Sequence, residues 1–289
     1  MGVMLYIALG LCAATVATVA VGVIFCLQTQ RGRRERFWPF KRVFIAHRGF
    51  FDAALGVPEN SMGAFRRAVG HGYGIELDVQ LSADGQLVVF HDENLRRMCG
   101  IDRLVRECDF AKLSGLKLGN SLERIPLFSE ALECVAGRVP LIVEIKPEGD
   151  CIAAAKQTAS LLDMYSGDYC IESFEPRVVE WFRKNRPNVV RGQLSTDYFK
   201  DNEPGLFLRR FLLSNLLLNW RGKPDFIAYN HKYADKTAYR ICRAIFRPVN
   251  VAWTIRSQEE LRQARNAFDI YIFDSFKPES KITMKDKPE

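Results

Sequence analysis

The chain has 289 residues, 48% of them hydrophobic and 26% charged, with a net charge of +7. This composition excludes a disordered or low-complexity chain and leaves room for one large core or at most two small domains. The basic excess does not indicate a nucleic-acid binder, because it is gathered in one short stretch near the N-terminus instead of spread over a folded face.

Residues 1–30 contain no Asp, Glu, Lys or Arg, and Leu5 to Leu27 is almost purely apolar. About 20 residues at 1.5 Å rise cross a hydrocarbon layer, so a single membrane-spanning anchor is expected. The alternative is a secretory signal. Ala13, Ala14, Ala17 and Ala20 would suit cleavage, but no positive n-region precedes the apolar run. Residues 31–42, "RGRRERFWPFKR", carry six basic residues and one acid, leaving about +2 for residues 43–289. Such a collar beside a span fixes topology and touches anionic lipid, with Phe37 and Trp38 at the interface. The positive-inside rule then places the rest in the cytoplasm. The eight cysteines show no CxxC pair, which fits free thiols in a reducing compartment.

After the collar, strand-like runs fall at 43–47, 75–79, 140–146, 169–174, 189–195, 225–230, 249–255 and 269–275. Helical patterns lie between them, at 61–70, 152–165, 176–185, 236–246 and 257–267. Ser257 has the character of an N-cap, and Arg186-Pro187 ends its helix. Eight strands alternating with helices predict a parallel sheet closed as a (β/α)8 TIM barrel over 43–289. An open doubly wound sheet is the alternative, weakened by the lack of a Gly-rich loop after the first strand. A hairpin arm follows the Asp84-Gly85 turn, and a small insertion is expected at about 92–122. Leu206 to Trp220 has polar residues every four or five positions. It reads either as a core-facing barrel helix or as a rim helix that dips into lipid. His71 reads as the end of a helix, and His231 lies just past the sixth strand.

Reacting groups of such barrels sit at the C-terminal strand ends. Strand one ends in His47 and Arg48, strand two carries Glu76 and Asp78, and strand three carries Glu144 and Lys146. Residues i and i+2 share a face, so each pair points together, and His91 returns on the hairpin arm. Three carboxylates form a hard-oxygen site for Mg²⁺ or Ca²⁺. A Lys and an Arg beside that ion make a place for a phosphate, and two histidines can act as an acid–base pair. Together these are the parts needed to break a phosphodiester. Taken singly, each could be a structural ion pair or an exposed side chain.

The ordered motifs "IAHRGF", "PENSMGAF", "GIELDVQLSADGQLVVFHDENLRR", "IPLFSEAL" and "LIVEIKP" resemble the glycerophosphodiester phosphodiesterase family. The likeness continues more loosely through "IESFEP" and "VAWTI" to "IFDSFKP". It implies a metal-dependent barrel that hydrolyses glycerophosphodiesters to glycerol 3-phosphate and an alcohol. It also implies His47 and His91 as the acid–base pair, Glu76, Asp78 and Glu144 as ligands of one divalent ion, and Arg48 and Lys146 as the phosphate clamp. Asn60 would be a supporting polar residue near His47 with Glu59 beside it, and Trp253 an aromatic lining the pocket. Ser61 and Ser275 stand where Thr is commoner, and the Arg48–Pro58 loop is longer than in the shortest members. With the anchor, lysophospholipids become a further substrate class. Two other readings remain at this stage: a phospholipase D-like lyase that yields a cyclic phosphate, and a non-catalytic phosphodiester-binding membrane protein. The expected partners are the diester substrate and membrane lipid, not nucleic acid.

Overall fold

The computed structural model describes residues 2–279; the last ten positions of the expected 43–289 domain, and residue 1 of the anchor, lie outside the described residues. Helix α1, Gly2–Cys26, is followed by a 3-10 turn at Arg34–Phe37 and the short α2, Trp38–Lys41. Then come β1 (Ile45–Ala46), α3 (Met62–His71), β2 (Gly74–Leu81) and β3 (Leu87–Val89). Two single-turn helices follow, α4 (Arg96–Cys99) and α5 (Phe110–Leu113), before α6 (Phe128–Val135) and β4 (Leu141–Ile145). The chain continues through α7 (Cys151–Leu162), β5 (Tyr169–Ser173), α8 (Pro176–Asn185) and β6 (Arg191–Ser195). It ends through α9 (Phe207–Ser214), α10 (Asn219–Gly222), β7 (Phe226–Asn230), α11 (Thr237–Phe246), β8 (Val249–Ile255), α12 (Gln258–Ala264) and β9 (Ile270–Phe273).

The strand order is β1-β9-β8-β7-β6-β5-β4-β2-β3, and a further parallel pairing of β1 with β2 closes the ring. Eight parallel strands thus form the expected TIM barrel, and β3 lies antiparallel on the upper half of β2 as the hairpin arm. The helices begin where the sequence signals them. Ser61 Oγ accepts from Ala64 N and Ser257 Oγ from Glu260 N, each filling an orphan donor of a first turn.

Alternation along each strand divides the core in two. Ile75, Leu77, Val79, Val143, Ile145 and Ile171 pack outward against the helices. Ile45, Ile142, Cys170, Phe226 and Val249 fill the lower barrel interior. A third small core, with Phe90, Leu95, Val105 and Leu113, lies under the segment between β3 and α6.

Within the collar, Phe37 departs from its expected place at an interface. Phe37 and Phe40 are buried in the lower barrel core as a plug. The collar's arginines bind carbonyls of the loops at that end: Arg33 donates to Pro187 O and Asn188 O, Arg34 to Arg247 O, and Arg36 to Asn188 O. The physical reason is that the lower end of the barrel exposes an apolar floor ringed by unpaired carbonyls, and the sequence FWPF between arginines satisfies both. Trp38 does remain at the surface, with Arg42 over its ring. The first half of α9 is likewise unlike a core-facing helix: Leu206, Phe207 and Leu208 are exposed, and burial begins at Leu213 and Ser214. All eight cysteines are free.

The plug sets a test. Phe40→Ala in the full chain is expected to lower unfolding stability by about 3–5 kcal/mol. Chemical denaturation would measure it, and a loss below about 1 kcal/mol would show that the collar does not pack as a core element.

Candidate active site

Each polar group at the mouth is brought there by the strand that precedes it. Asp78 on β2 pairs in register with Glu144 on β4, and Glu144 with Glu172 on β5. These acids are therefore lateral neighbours around the barrel. Glu76, one inward step below Asp78, completes a group. Oxygens of Glu76, Asp78 and Glu144 all lie within 4.8 Å of one another, and all three residues are buried.

Behind β1, Arg48 and Gly49 both adopt left-handed backbone, with φ of 56° and 80°. A Cβ on Gly49 would stand 2.8 Å from that of Ala64, so the turn requires glycine. This turn aims the Arg48 N–H at Glu76 Oε2, 2.9 Å away. The Arg48 guanidinium reaches Glu59 at 2.7 Å and Asp78 at 3.5 Å. Lys146 Nζ lies 2.9 Å from Glu144 Oε1 and 3.4 Å from Asp78 Oδ1.

The two histidines are held alike. His47 Nδ1 is 2.8 Å from Asp274 Oδ2, and His91 Nδ1 is 2.7 Å from Asp92 Oδ1. In each case the carboxylate fixes the ring and leaves Nε2 for other work. His47 Nε2 lies 4.0 Å from Glu76. Each aspartate is backed by an arginine. Arg256 reaches Asp274 at 3.1 Å, and Arg97 of α4 reaches Asp92 at 2.6 Å. Arg97 also bonds Glu59, at 2.6 Å, and so ties the hairpin arm to the loop that holds Arg48.

Charge and burial act against each other here. Burial, with Asp78, Glu144 and Glu172 around it, pushes the Glu76 carboxyl well up. Burial likewise raises Glu144 and Glu172. Asp78 is buried too, but Lys146, His91, Arg48 and the Asn60 amide outweigh that and hold it well below the usual carboxylate range. For Lys146 the burial cost is outweighed by Glu144 and Asp78, which keep it charged. Burial lowers the His47 pKa despite its bond to Asp274, which favours the neutral ring.

The expected site residues His47, Arg48, Glu76, Asp78, His91, Glu144 and Lys146 therefore converge at the mouth. Asn60 is turned to Asp78, its Nδ2 donating to Oδ2 at 2.8 Å, so it orients a carboxylate. Trp253 meets Phe174 edge to face at 5.5 Å, and its buried Nε1 has no hydrogen-bond partner. His231 packs near Glu260 at 3.7 Å, and His71 bonds Arg67 O at the end of α3. Sequence reasoning gave Asp274 no role and did not single out Arg97 or Glu172. An acid closing the last strand and an acid opposite Glu144 on the next strand were the available signals; Arg97 had none.

The carboxylate group fits a hard divalent ion by its chemistry: three oxygens, buried and close together, with Asp78 Oδ1 and Glu144 Oε1 accepting no hydrogen bond in good geometry.

The model for the glycerophosphoryl diester phosphodiesterase family matches residues 47–272. A glycerophosphodiester phosphodiesterase of Bacillus altitudinis is 40% identical over 177 residues, covering 57% of this chain and 70% of its own. One from Caldanaerobacter subterraneus is 40% identical over 114 residues, 37% of this chain and 46% of its own, so the chain spans less than half the length of that relative. In fold, the chain resembles an Oleispira antarctica phosphodiesterase in complex with the product sn-glycerol-3-phosphate. That likeness has a TM-score of 0.65 at 24% identity, over 80% of this chain and 92% of the other. The chain belongs to the glycerophosphoryl diester phosphodiesterase family, whose members are phosphoric diester hydrolases.

Proposed function

We propose that this chain hydrolyses glycerophosphodiesters, lysophospholipids among them, to glycerol 3-phosphate or a related phosphomonoester and an alcohol. The observation that carries the reading is the buried Glu76–Asp78–Glu144 group beneath two histidines that are each held by an aspartate. Glu76, Asp78 and Glu144 would hold one Mg²⁺ or Ca²⁺, which would supply Lewis-acid stabilisation of charge on the phosphoryl oxygens.

The chain's own residues do the rest. Arg48 and Lys146 offer guanidinium and ammonium donors to the phosphate once it displaces part of their carboxylate pairing. His47, whose pKa burial lowers, takes the proton of the attacking water through Nε2; in the covalent alternative Nε2 itself bonds phosphorus as the alcohol leaves, and water then cleaves the P–N bond to release the phosphomonoester. His91 gives a proton to the departing alkoxide, and Asp92 with Arg97 fixes its ring for that transfer. Asn60 holds Asp78 in position. Trp253, with Phe174, walls the mouth and presents Nε1 to a substrate oxygen. Residues 1–30 anchor the protein by a single span, with the domain from 43 onward in the cytoplasm and the collar 31–42 built into its lower end. The apolar window Met4–Cys26, of mean hydropathy 2.4, supports this reading.

Three outcomes test the proposal. Full-chain protein in detergent, given glycerophosphodiesters and lysophospholipids, should release a phosphomonoester with Mg²⁺ or Ca²⁺ and none with EDTA. His47→Ala should lower kcat by about 10²–10⁴-fold. Phosphorus NMR reads the product, and a cyclic phosphate in place of a monoester would establish the lyase instead.

Glu76→Gln removes a carboxylate held among like charges. The metal-free variant should melt no lower than the metal-free parent and should lose the metal-induced rise in melting temperature. A retained rise would remove Glu76 from the ligand set.

Asp274→Asn should cost roughly a hundredfold or more in kcat with little change in KM, because the His47 tautomer loses its anchor. Asp274 raises the His47 pKa, so its loss should carry the acid limb of the pH–rate profile to lower pH. An unchanged kcat and limb would leave Asp274 with no part in positioning His47.

A further inference from the structure

At the collar end of the barrel a cleft of about 780 Å³ lies between the end of α11, the turn after α12 and the collar. Its walls carry Arg34, Arg240, Arg243, Arg247 and Arg265, against the single acid Asp269. That acid is engaged: Asp269 Oδ2 accepts from Asn250 N at 3.0 Å, and Oδ1 lies 3.6 Å from Arg34. Arg34 is fixed as a wall by its bonds to Arg247 O and Pro248 O. Arg240 and Arg247 are exposed, and Arg243 lies beside the Tyr239 ring.

Arg240, Arg243 and Arg247 stand at i, i+3 and i+7 about the last turns of α11, where like charges repel. A helix C-terminus favours cations, but it does not account for Arg34 and Arg265 arriving from two other segments. Concentrated cations of forked geometry in a concave site are the chemistry that receives a phosphate.

The site sits where α1 joins the domain. Leu27, directly after α1, is buried in the barrel core, and its carbonyl accepts from Cys242 Sγ of α11 at 3.6 Å. Gln30 N donates to Pro224 O at 2.9 Å. Arg31 donates to Ile245 O and lies over the Phe246 ring. Phe25 meets Trp220 of α10 at 5.9 Å. The helix therefore reaches α11 with no slack between them. If α1 crosses a bilayer, the headgroups of that bilayer lie within a turn or two of Cys26, level with the end of α11. Exposed Ile245, between Arg243 and Arg247, faces the same boundary.

We propose that this five-arginine cleft binds the phosphate of an anionic lipid headgroup in the membrane that α1 crosses. The proposal rests on the reading of α1 as a span and is independent of the reaction at the mouth. A free phosphate shares the ligand chemistry; the position beside α1 assigns it to lipid.

The test uses the full chain in nanodiscs of phosphatidylcholine with and without phosphatidic acid, followed by native mass spectrometry of retained lipid. The parent should keep phosphatidic acid over phosphatidylcholine, and Arg243→Gln/Arg247→Gln should lose that retention by about tenfold. Arg66→Gln/Arg124→Gln, an equal loss of charge elsewhere, should retain it. Equal unfolding midpoints in lipid-free detergent would show that both variants fold; if the cleft variant is unstable, Arg240→Gln serves with the same expectation. Equal retention by cleft and control variants overturns the cleft. Equal protection against unfolding by millimolar inorganic phosphate and by phosphatidic acid overturns the lipid assignment. Extraction of the full chain from membranes by alkaline carbonate overturns the span, and with it a bilayer lipid as the ligand.

Discussion

Everything at the mouth follows from the mutual repulsion of buried carboxylates. Two unit charges at 4.8 Å, the span of the Glu76–Asp78–Glu144 group, repel by about 3–4 kcal/mol at an effective dielectric of 20. Glu172 adds a fourth acid one strand further round. A barrel interior cannot carry that load unless cations enter with it. Lys146, two residues after Glu144 on the same face, and Arg48, turned inward by the left-handed pair at 48–49, are those cations. They divide the load unequally. Asp78 touches both cations and the Asn60 amide and stays ionised, while Glu76 and Glu172 are left to burial and repulsion and are raised. A divalent ion held by Glu76, Asp78 and Glu144 would offset the same imbalance, and the carboxylates that would hold it are the ones that Lys146 and Arg48 already touch.

The same division explains the grading of the interior. At the collar end the inward positions are Ile45, Ile142 and Cys170, and one step along the same strands they become His47, Glu144 and Glu172. The apolar floor, closed by Phe37 and Phe40, keeps water from entering below the carboxylates. It thereby raises the strength of every interaction above it. The two histidines need the opposite arrangement, a fixed ring with one free nitrogen, and each obtains it from an aspartate and an arginine at its rear.

Much of this was legible in the residues. Alternation within IELDV and LIVEIK assigned Glu76, Asp78, Glu144 and Lys146 to one face, because strand period is fixed by covalent geometry. Strand count and order carried the barrel, since parallel strands separated by helices close in few ways. What could not be read depended on pairs distant in sequence. Asp274 meets His47 across 227 positions, and Arg97 meets Glu59 from a one-turn helix of the inserted segment. The burial of Phe37 within the collar was missed for a different reason. The collar's composition, arginines with aromatics beside an apolar helix, fits a lipid interface and a barrel floor equally well. The choice was made by the carbonyls of Pro187, Asn188 and Arg247, which no local pattern reveals.

The plug also makes α1 and the barrel one body. Leu27 is already core and Phe37 is barrel floor, so the stretch between them is held at both ends by folded structure. Forces on α1 are therefore transmitted to β6, β7 and β8 through Pro224, Cys242 and the Arg33–Asp225 pair. The carboxylates, on β2, β4 and β5, lie at the other end of the barrel. Attachment at the strand N-termini leaves the C-terminal mouth open to substrate from every side that the barrel itself does not cover. The exposed Leu206, Phe207 and Leu208 stand on the crossover that joins the two ends, from the mouth at β6 to the Trp220–Phe25 contact at α1.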